Sequence, residues 1–179
     1  AAISGAKNIT ITNKNAAATV TVLDFDIGTT YTTVTVEQEA DQDFDFTDIA
    51  GTKVTTLNVG GANSVVATPI ADGDIDMATA TFAALTTMSI DSNAGDITFG
   101  STALTAAKLA TLNIVGDKTV SFGAASGSTT TLLADVNGST ATGGITFGTS
   151  VDFAGAADIE TGTGNDTLNL VVTVNTSTA

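Results

Sequence analysis

Apolar and polar residues alternate in short runs along much of this chain, and one run is written twice. Leu85-Thr86-Thr87-Met88-Ser89-Ile90, a polar turn and Ile97-Thr98-Phe99-Gly100 are followed by Leu109-Ala110-Thr111-Leu112-Asn113-Ile114, a polar turn and Val120-Ser121-Phe122-Gly123. Period-two alternation gathers apolar side chains on one face of a strand. Leu112 follows Met88 by 24 positions and Phe122 follows Phe99 by 23. Residues 54–59 echo the first half of the phrase. Ile145-Thr146-Phe147-Gly148 echoes the second, with Phe147 following Phe122 by 25.

Self-similarity at this period marks a solenoid, in which a lone coil buries little and stacked coils share a core. The prediction is an all-β chain, a parallel β-helix (β-solenoid) with coils of about 23–25 residues. Met88 then lies over Leu112, Ile90 over Ile114 and Phe99 over Phe122. Gly100, Gly123 and Gly148, each following a Phe, suit corners that require a positive φ. A leucine-rich-repeat-like solenoid is the alternative, because Leu85-x-x-Met88-x-Ile90-x-x-Asn93 fits the opening of that repeat. Against it, Gly95 stands where another apolar residue is needed, and Asp117 replaces the Asn in the next copy.

Residues 1–48 read as an N-terminal β segment, a cap or the first coils, with alternation at 8–12, 18–23 and 30–36. Residues 49–179 read as the parallel β-helix, ending in a degenerate terminal coil, with no domain linker. Phe44 and Phe46 share one strand face, and Asp43 and Asp45 the other. Residues 134–137 and 157–160 are expected to stack, since Asp158 follows Asp135 by 23. Residues 103–109 have helical flavour and read as a single helical turn on a coil.

Charge narrows the partners. The net charge is −14, from 19 acidic residues against 5 basic ones, all of them Lys. Nucleic-acid affinity depends on cations at phosphates, so no nucleic-acid partner is expected. No apolar run reaches membrane-spanning length, so no membrane insertion is expected. Cations are the favoured partners. Without Cys or His there are no disulfides and no thiolate or imidazole zinc sites. Nucleophile–base triads lose their usual base. With no Arg, no Trp and one Tyr, neither a lyase site nor an aromatic sugar cleft is supplied, so the chain is read as not an enzyme. Its ends read as those of a fragment cut from something longer.

Asp, Asn, Gly and Thr in turns are good suppliers of oxygen to calcium, which takes six to eight such ligands. Asp72, Asp74 and Asp76 form one candidate group, and Asp91, Asn93 and Asp96 a second. For both, solvated polar turns are the competing reading. The sharpest motif is Gly162-Thr163-Gly164-Asn165-Asp166-Thr167-Leu168, which resembles the repeat-in-toxin nonapeptide G-G-x-G-x-D-x-U-x. Gly162, Gly164, Asp166 and Leu168 match, and Thr161 replaces the first Gly. In that family the Gly-rich half binds calcium between successive turns. With only one obvious copy here, a degenerate terminal coil without metal is the competing reading, and for a real site Asp158 or Glu160 is the candidate to supply a ligand in place of a second nonapeptide.

Together with phrases such as Leu109-x-x-Leu112-x-Ile114, this motif resembles bacterial surface-layer proteins of the repeat-in-toxin, type I-secreted class, over about residues 50–170. The resemblance implies a calcium-dependent, extracellular, self-assembling β-helix at the cell surface. Its partners would be other copies of itself in a lattice or filament, calcium, and cell-surface polysaccharide. The alternative is a stalk or ligand-binding module of a large calcium-dependent adhesin. A variant of that, ice binding, would need outward Thr ranks, such as those begun by Thr33 and Thr35 or by residues 129–131, aligned over several coils.

Overall fold

A computed structural model describes residues 7–15, 17–22, 24–39, 42–61, 73–123, 130–148 and 151–169, with side chains throughout except at 101–103, 130–134 and 151–157. In chain order the strands are β1 (Asn8–Asn13), β2 (Val20–Val22), β3 (Phe25–Asp26), β4 (Thr33–Gln38), β5 (Phe44–Phe46) and β6 (Ile49–Ala50). Next come β7 (Thr56–Gly60), β8 (Ile75–Thr81), β9 (Thr87–Asp91), β10 (Ile97–Thr105) and β11 (Thr111–Val115). The last are β12 (Val120–Phe122), β13 (Thr130–Asn137), β14 (Ile145–Phe147), β15 (Val151–Glu160) and β16 (Thr167–Leu168). Among the described residues there is no helix, so none is long and apolar enough to cross a membrane.

The chain is a parallel β-solenoid. The first sheet runs β1-β4-β7-β9-β11-β13-β15 and the second β16-β14-β12-β10-β8-β5-β2, with every pairing parallel. The short strands β3 and β6 extend a third row onto the far end of β8. The horseshoe alternative is thereby set aside. Strands in the first 48 residues are rungs of the same two sheets, since β1 pairs with β4 and β4 with β7.

The register follows the apolar pattern. Leu57, Met88, Leu112 and Val136 stack in one interior column, and Val59, Ile90 and Ile114 in the next. On the facing sheet, Phe46, Met77, Phe99, Phe122 and Phe147 make a third column. All of these side chains are buried. Phe99, Phe122 and Phe147 stack with ring centroids 5.2 Å apart and planes within 7° of parallel. One register step would turn every such column to solvent, so the hydrophobic pattern holds the stack in place.

Both corners are pinned by side chains. Entering the first sheet, the hydroxyls of Thr32, Thr55 and Thr86 donate to the carbonyls of Lys7, Thr32 and Thr55, one coil back in each case. At the exit, Asn13, Gln38 and Ser92 are buried polar residues. The Nδ2 of Asn13 and the Nε2 of Gln38 both donate to the Gln42 carbonyl. Ser92 Oγ donates to the Lys118 carbonyl at 2.9 Å. The bonds of Asn13, Gln38 and Ser92 offset part of the cost of burying these groups, while Gln38 Oε1 is buried without a hydrogen-bond partner.

Two expectations need correction. Most coils are near the expected length, as the Thr55–Thr32 bond across 23 residues shows, but the Thr86–Thr55 bond spans 31. The extra length falls between Gly61 and Gly73, largely outside the described residues. The helical turn expected at 103–109 is also absent. Ala103, Leu104 and Thr105 complete β10 against Thr79, Ala80 and Thr81, and a tight turn follows, closed by the Leu109 amide on the Ala106 carbonyl at 3.0 Å. Ala and Leu are good helix formers, but propensity is a small bias, and in-register pairing with buried Leu104, Ala106 and Leu109 overrides it.

Candidate functional site

The outward residues of both sheets form ranks across the coils. On the first sheet one rank is Asn8, Thr33, Thr56, Thr87, Thr111, Asp135 and Asp158. Beside it run Thr10, Thr35, Asn58, Ser89, Asn113, Asn137 and Glu160. On the second sheet the rank is Thr21, Asp45, Asp76, Thr98, Ser121, Thr146 and Thr167. Alternation made these residues polar, and the constant register lined them up.

The structure separates the calcium candidates into distinct places. Asp72 lies outside the described residues. Asp74 and Asp96 occupy the corner just before the second sheet, together with Asp43. There the carboxylates form a ladder between coils: the Asp74 amide donates to Asp43 Oδ1 at 3.3 Å, the Asp96 amide to Asp74 Oδ1 at 2.9 Å, and the Thr119 amide to Asp96 Oδ1 at 2.7 Å. Charge-assisted bonds of this kind are stronger than neutral ones. These aspartates therefore have a structural task, tying each coil to the next at a turn.

Asp91 and Asn93 are at a different corner. Asp91 Oδ1 accepts from the Asn93 amide at 3.1 Å and from Asn93 Nδ2 at 2.6 Å, closing a local turn. Asp158 and Glu160 stand on the outer face of the first sheet, in register with Asp135 and Asn137. Asp166 accepts the Ile145 amide at 2.8 Å, one coil back. Gly162, at φ +87°, lies against the carbonyls of Ala141 and Gly138, and Gly164 against that of Gly143. The glycines of the nonapeptide-like motif thus let its turn rest directly on the turn below, where a Cβ would collide with backbone. Among the described residues, no three acidic side chains come together closely enough to hold one ion.

Asp76 is brought next to a residue outside these candidate groups, Asp45 of the adjacent strand. Burial, then the charge of Asp43, raises the Asp45 carboxyl above its ordinary range. Burial, then the charge of Asp45, does the same to Asp76. Asp76 Oδ1 is buried without a hydrogen-bond partner. Of the sites compared, this pair has most to gain from a cation: two carboxylates face each other across one strand spacing, and one oxygen is unsatisfied. The alternation at 43–46 made Asp45 visible in the sequence, but only the register could pair it with Asp76.

A pH prediction follows. Because the folded state holds these two protons more tightly than the unfolded chain, the pair costs nothing below the ordinary aspartate pKa of about 3.9. The cost grows as pH rises from there through the raised folded values, and then stays constant. Asp76→Asn should raise Tm at pH 7, by the equivalent of roughly 0.2–1 kcal/mol, the scale of a like-charge cross-strand pair. It should also flatten this part of the pH–stability curve. A variant that melts lower at pH 7, with an unchanged pH profile, would show that burying the charged Asp76 carboxylate beside Asp45 costs the fold nothing.

A groove of about 260 Å³ opens on the first sheet, with Asn58, Ser89 and Asn113 on one side and Gly60, Asp91 and Val115 on the other. Among the described residues, Val115 is one of the few exposed large apolar side chains, at 42%. It was not singled out in the sequence, since a strand-end valine looks like any other. No protein-family model, curated protein or solved structure matches this chain.

Proposed function

We propose that this chain is a structural module of an extracellular, self-assembling bacterial surface layer, assembled with calcium. The observation that carries the reading is the parallel stacking of the coils, which brings outward polar residues of successive coils into ranks despite local register shifts in β10 and β13–β15. Repeating faces are what a lattice component must offer. The composition supports the same reading, since a chain without His, Cys or Arg has little to offer a catalytic site. Acidic pairs such as Asp45 and Asp76 give calcium a role, because a net charge of −14 opposes close packing of copies.

The alternative is a stalk or ligand-binding module of a large calcium-dependent adhesin. The groove beside Asn58, Ser89 and Asn113 favours it, with cell-surface polysaccharide as the ligand. Electron microscopy with and without calcium separates the two. Ordered sheets or filaments formed with calcium support the surface-layer reading, and dispersed monomers at all calcium concentrations defeat it.

The calcium part has its own test. A cation that binds only the folded state stabilises it by about 2.7 kcal/mol at a hundredfold excess over Kd. Calcium should raise Tm beyond a sodium chloride control at matched ionic strength, and magnesium should substitute poorly because of its tighter octahedral demand. Equal shifts with calcium and sodium would leave only screening. Asp166→Ala and Asp76→Asn then show whether the nonapeptide-like turn or the paired aspartates carry the response.

A further inference from the structure

We propose that the groove on the first sheet binds an amino sugar, a hydroxylated ring carrying a primary ammonium group, as one unit of a polysaccharide. This rests on the reading of the chain as a ligand-binding module and does not depend on copies forming arrays. The groove, of about 260 Å³, lies between two outward ranks, with Asn58, Ser89 and Asn113 in one and Gly60, Asp91 and Val115 in the other. It exists because Gly60 puts no side chain into its rank. None could be added there: at φ +86° a Cβ would stand 2.0 Å from the Asp91 carbonyl oxygen. The volume is just under the roughly 300 Å³ at which pockets for drug-sized ligands begin, which suits a single sugar ring.

Charge selects the ammonium group. Asp91 is paired with Gly60 across one strand spacing, about 4.8 Å. Glu37 lies one spacing away on the other side, one step beyond the Val36–Val59 pair. An ammonium group above Gly60 therefore has a carboxylate on either side. Neither carboxylate makes an ion pair among the described residues. Asp91 Oδ1 is held by the amide and Nδ2 of Asn93, which fixes the carboxylate in place. Lys14, whose charge reaches Glu37, is bonded to Glu39 at 2.8 Å. The other wall selects hydroxyls. Among the described residues the side chains of Ser89 and Asn113 make no hydrogen bond, and that of Asn58 makes one, from Nδ2 to Thr35 Oγ1 at 3.3 Å. Hydroxyls and amides both donate and accept, so they meet a ring hydroxyl in either sense. The exposed Val115 offers apolar surface to the C–H face of a ring. A neutral sugar leaves the two carboxylates unanswered, and an acidic one is repelled by them and by the net charge of −14. A bare diamine leaves Ser89 and Asn113 unused.

Titration with a glucosamine trisaccharide, followed by the backbone amide resonances in NMR, tests the proposal. Saturable shifts should centre on Gly60, Ser89, Asp91 and Asn113. The N-acetylated trisaccharide, the same rings without the positive charge, should bind about tenfold or more weakly, the worth of one charge-assisted hydrogen bond. Asp91→Asn, which keeps an acceptor for Asn93, should lose a similar factor. Glu37→Gln, away from that turn, should act in the same direction, so a folding defect in the first variant leaves the charge test intact. Asn113→Leu should weaken the trisaccharide and leave Tm unchanged. Asp26→Asn, at an exposed position on β3, should bind like the parent. Equal weakening in Asp26→Asn and Asp91→Asn would reduce the effect to net charge and overturn the site. Putrescine or calcium moving the same amides as strongly as the trisaccharide, at matched ionic strength, would overturn it in favour of a bare cation site. Equal binding of both trisaccharides at the groove would overturn the amino sugar while leaving the ligand-binding reading standing. No binding of either glycan would defeat both.

Discussion

Phe122→Ala should cost about 3–5 kcal/mol, the range for emptying a buried aromatic site, and lower Tm by roughly 6–20 °C at this chain length. Phe122 is 2% exposed and lies between Phe99 and Phe147, stacked on both at 5.2 Å. Its removal opens a void in the middle of the column, and neither neighbour can fill it without leaving its own coil. In a solenoid, stability is close to a sum of coil and nearest-neighbour terms, so a break between central coils also weakens their coupling. Urea unfolding followed by circular dichroism measures the effect. Phe122→Leu, which keeps most of the volume, should cost distinctly less. If the alanine variant melts within about 2 °C of the parent, equivalent to roughly 1 kcal/mol or less, the aromatic column is not a main support of the fold.

Gly148→Ala should be comparably damaging for a different reason. A Cβ at Gly148 would stand 1.7 Å from the Gly123 carbonyl oxygen and 2.4 Å from its carbon. Those are backbone atoms of the coil below, and the two coils are held together at this point, since the Gly148 amide donates to the neighbouring Phe122 carbonyl at 2.7 Å. The coils must separate locally, which should cost about 3 kcal/mol or more, the upper end of overpacking. Gly28→Ala is the comparison. Gly28 has φ +72° but nothing within 4 Å of an added Cβ, so only the left-handed backbone is penalised, by about 1–2 kcal/mol. Thermal melts of the two variants give the order. A Gly28 variant less stable than the Gly148 variant would mean that coil stacking is looser at this corner than the contacts indicate.

Gly148 also marks a limit of sequence reading. Gly100, Gly123 and Gly148 look alike in the sequence, each following a Phe at the end of a strand phrase. Gly100 and Gly123 have the expected positive φ, +66° and +53°, although Gly100 makes no corner and lies inside β10, where the register against β8 shifts. Gly148 is instead needed because another coil's carbonyl lies against its Cα. Local geometry is encoded by neighbours in sequence, whereas close approach depends on which coil lies below. Gly164 carries the same lesson, and at Gly162 crowding by the preceding turn adds to a positive φ, so both are accounted for as glycines without invoking an ion.

The sequence by itself determined the solenoid and its core. Alternation at Met88, Ile90, Leu112 and Ile114, repeated at a nearly constant interval, admits few ways to bury every apolar residue, and parallel stacking is the one the chain adopts. The echo of the same phrase at 54–59 was legible too, although the 31-residue spacing before the next coil hid its register. Tertiary structure alone decided what the polar residues do. Asp43, Asp74 and Asp96 became rungs of a hydrogen-bond ladder because the amide of the next coil lies within reach of each. Asp45 and Asp76 became a strained pair because strands far apart in the chain are adjacent in the sheet. Thr33, Thr56, Thr87 and Thr111 became one rank because the register held through the longer coil as well as the shorter ones. Apolar residues report their position by the burial they need. A polar side chain on an outer face meets water in either case, so its partners are set by whichever strand the core brings beside it.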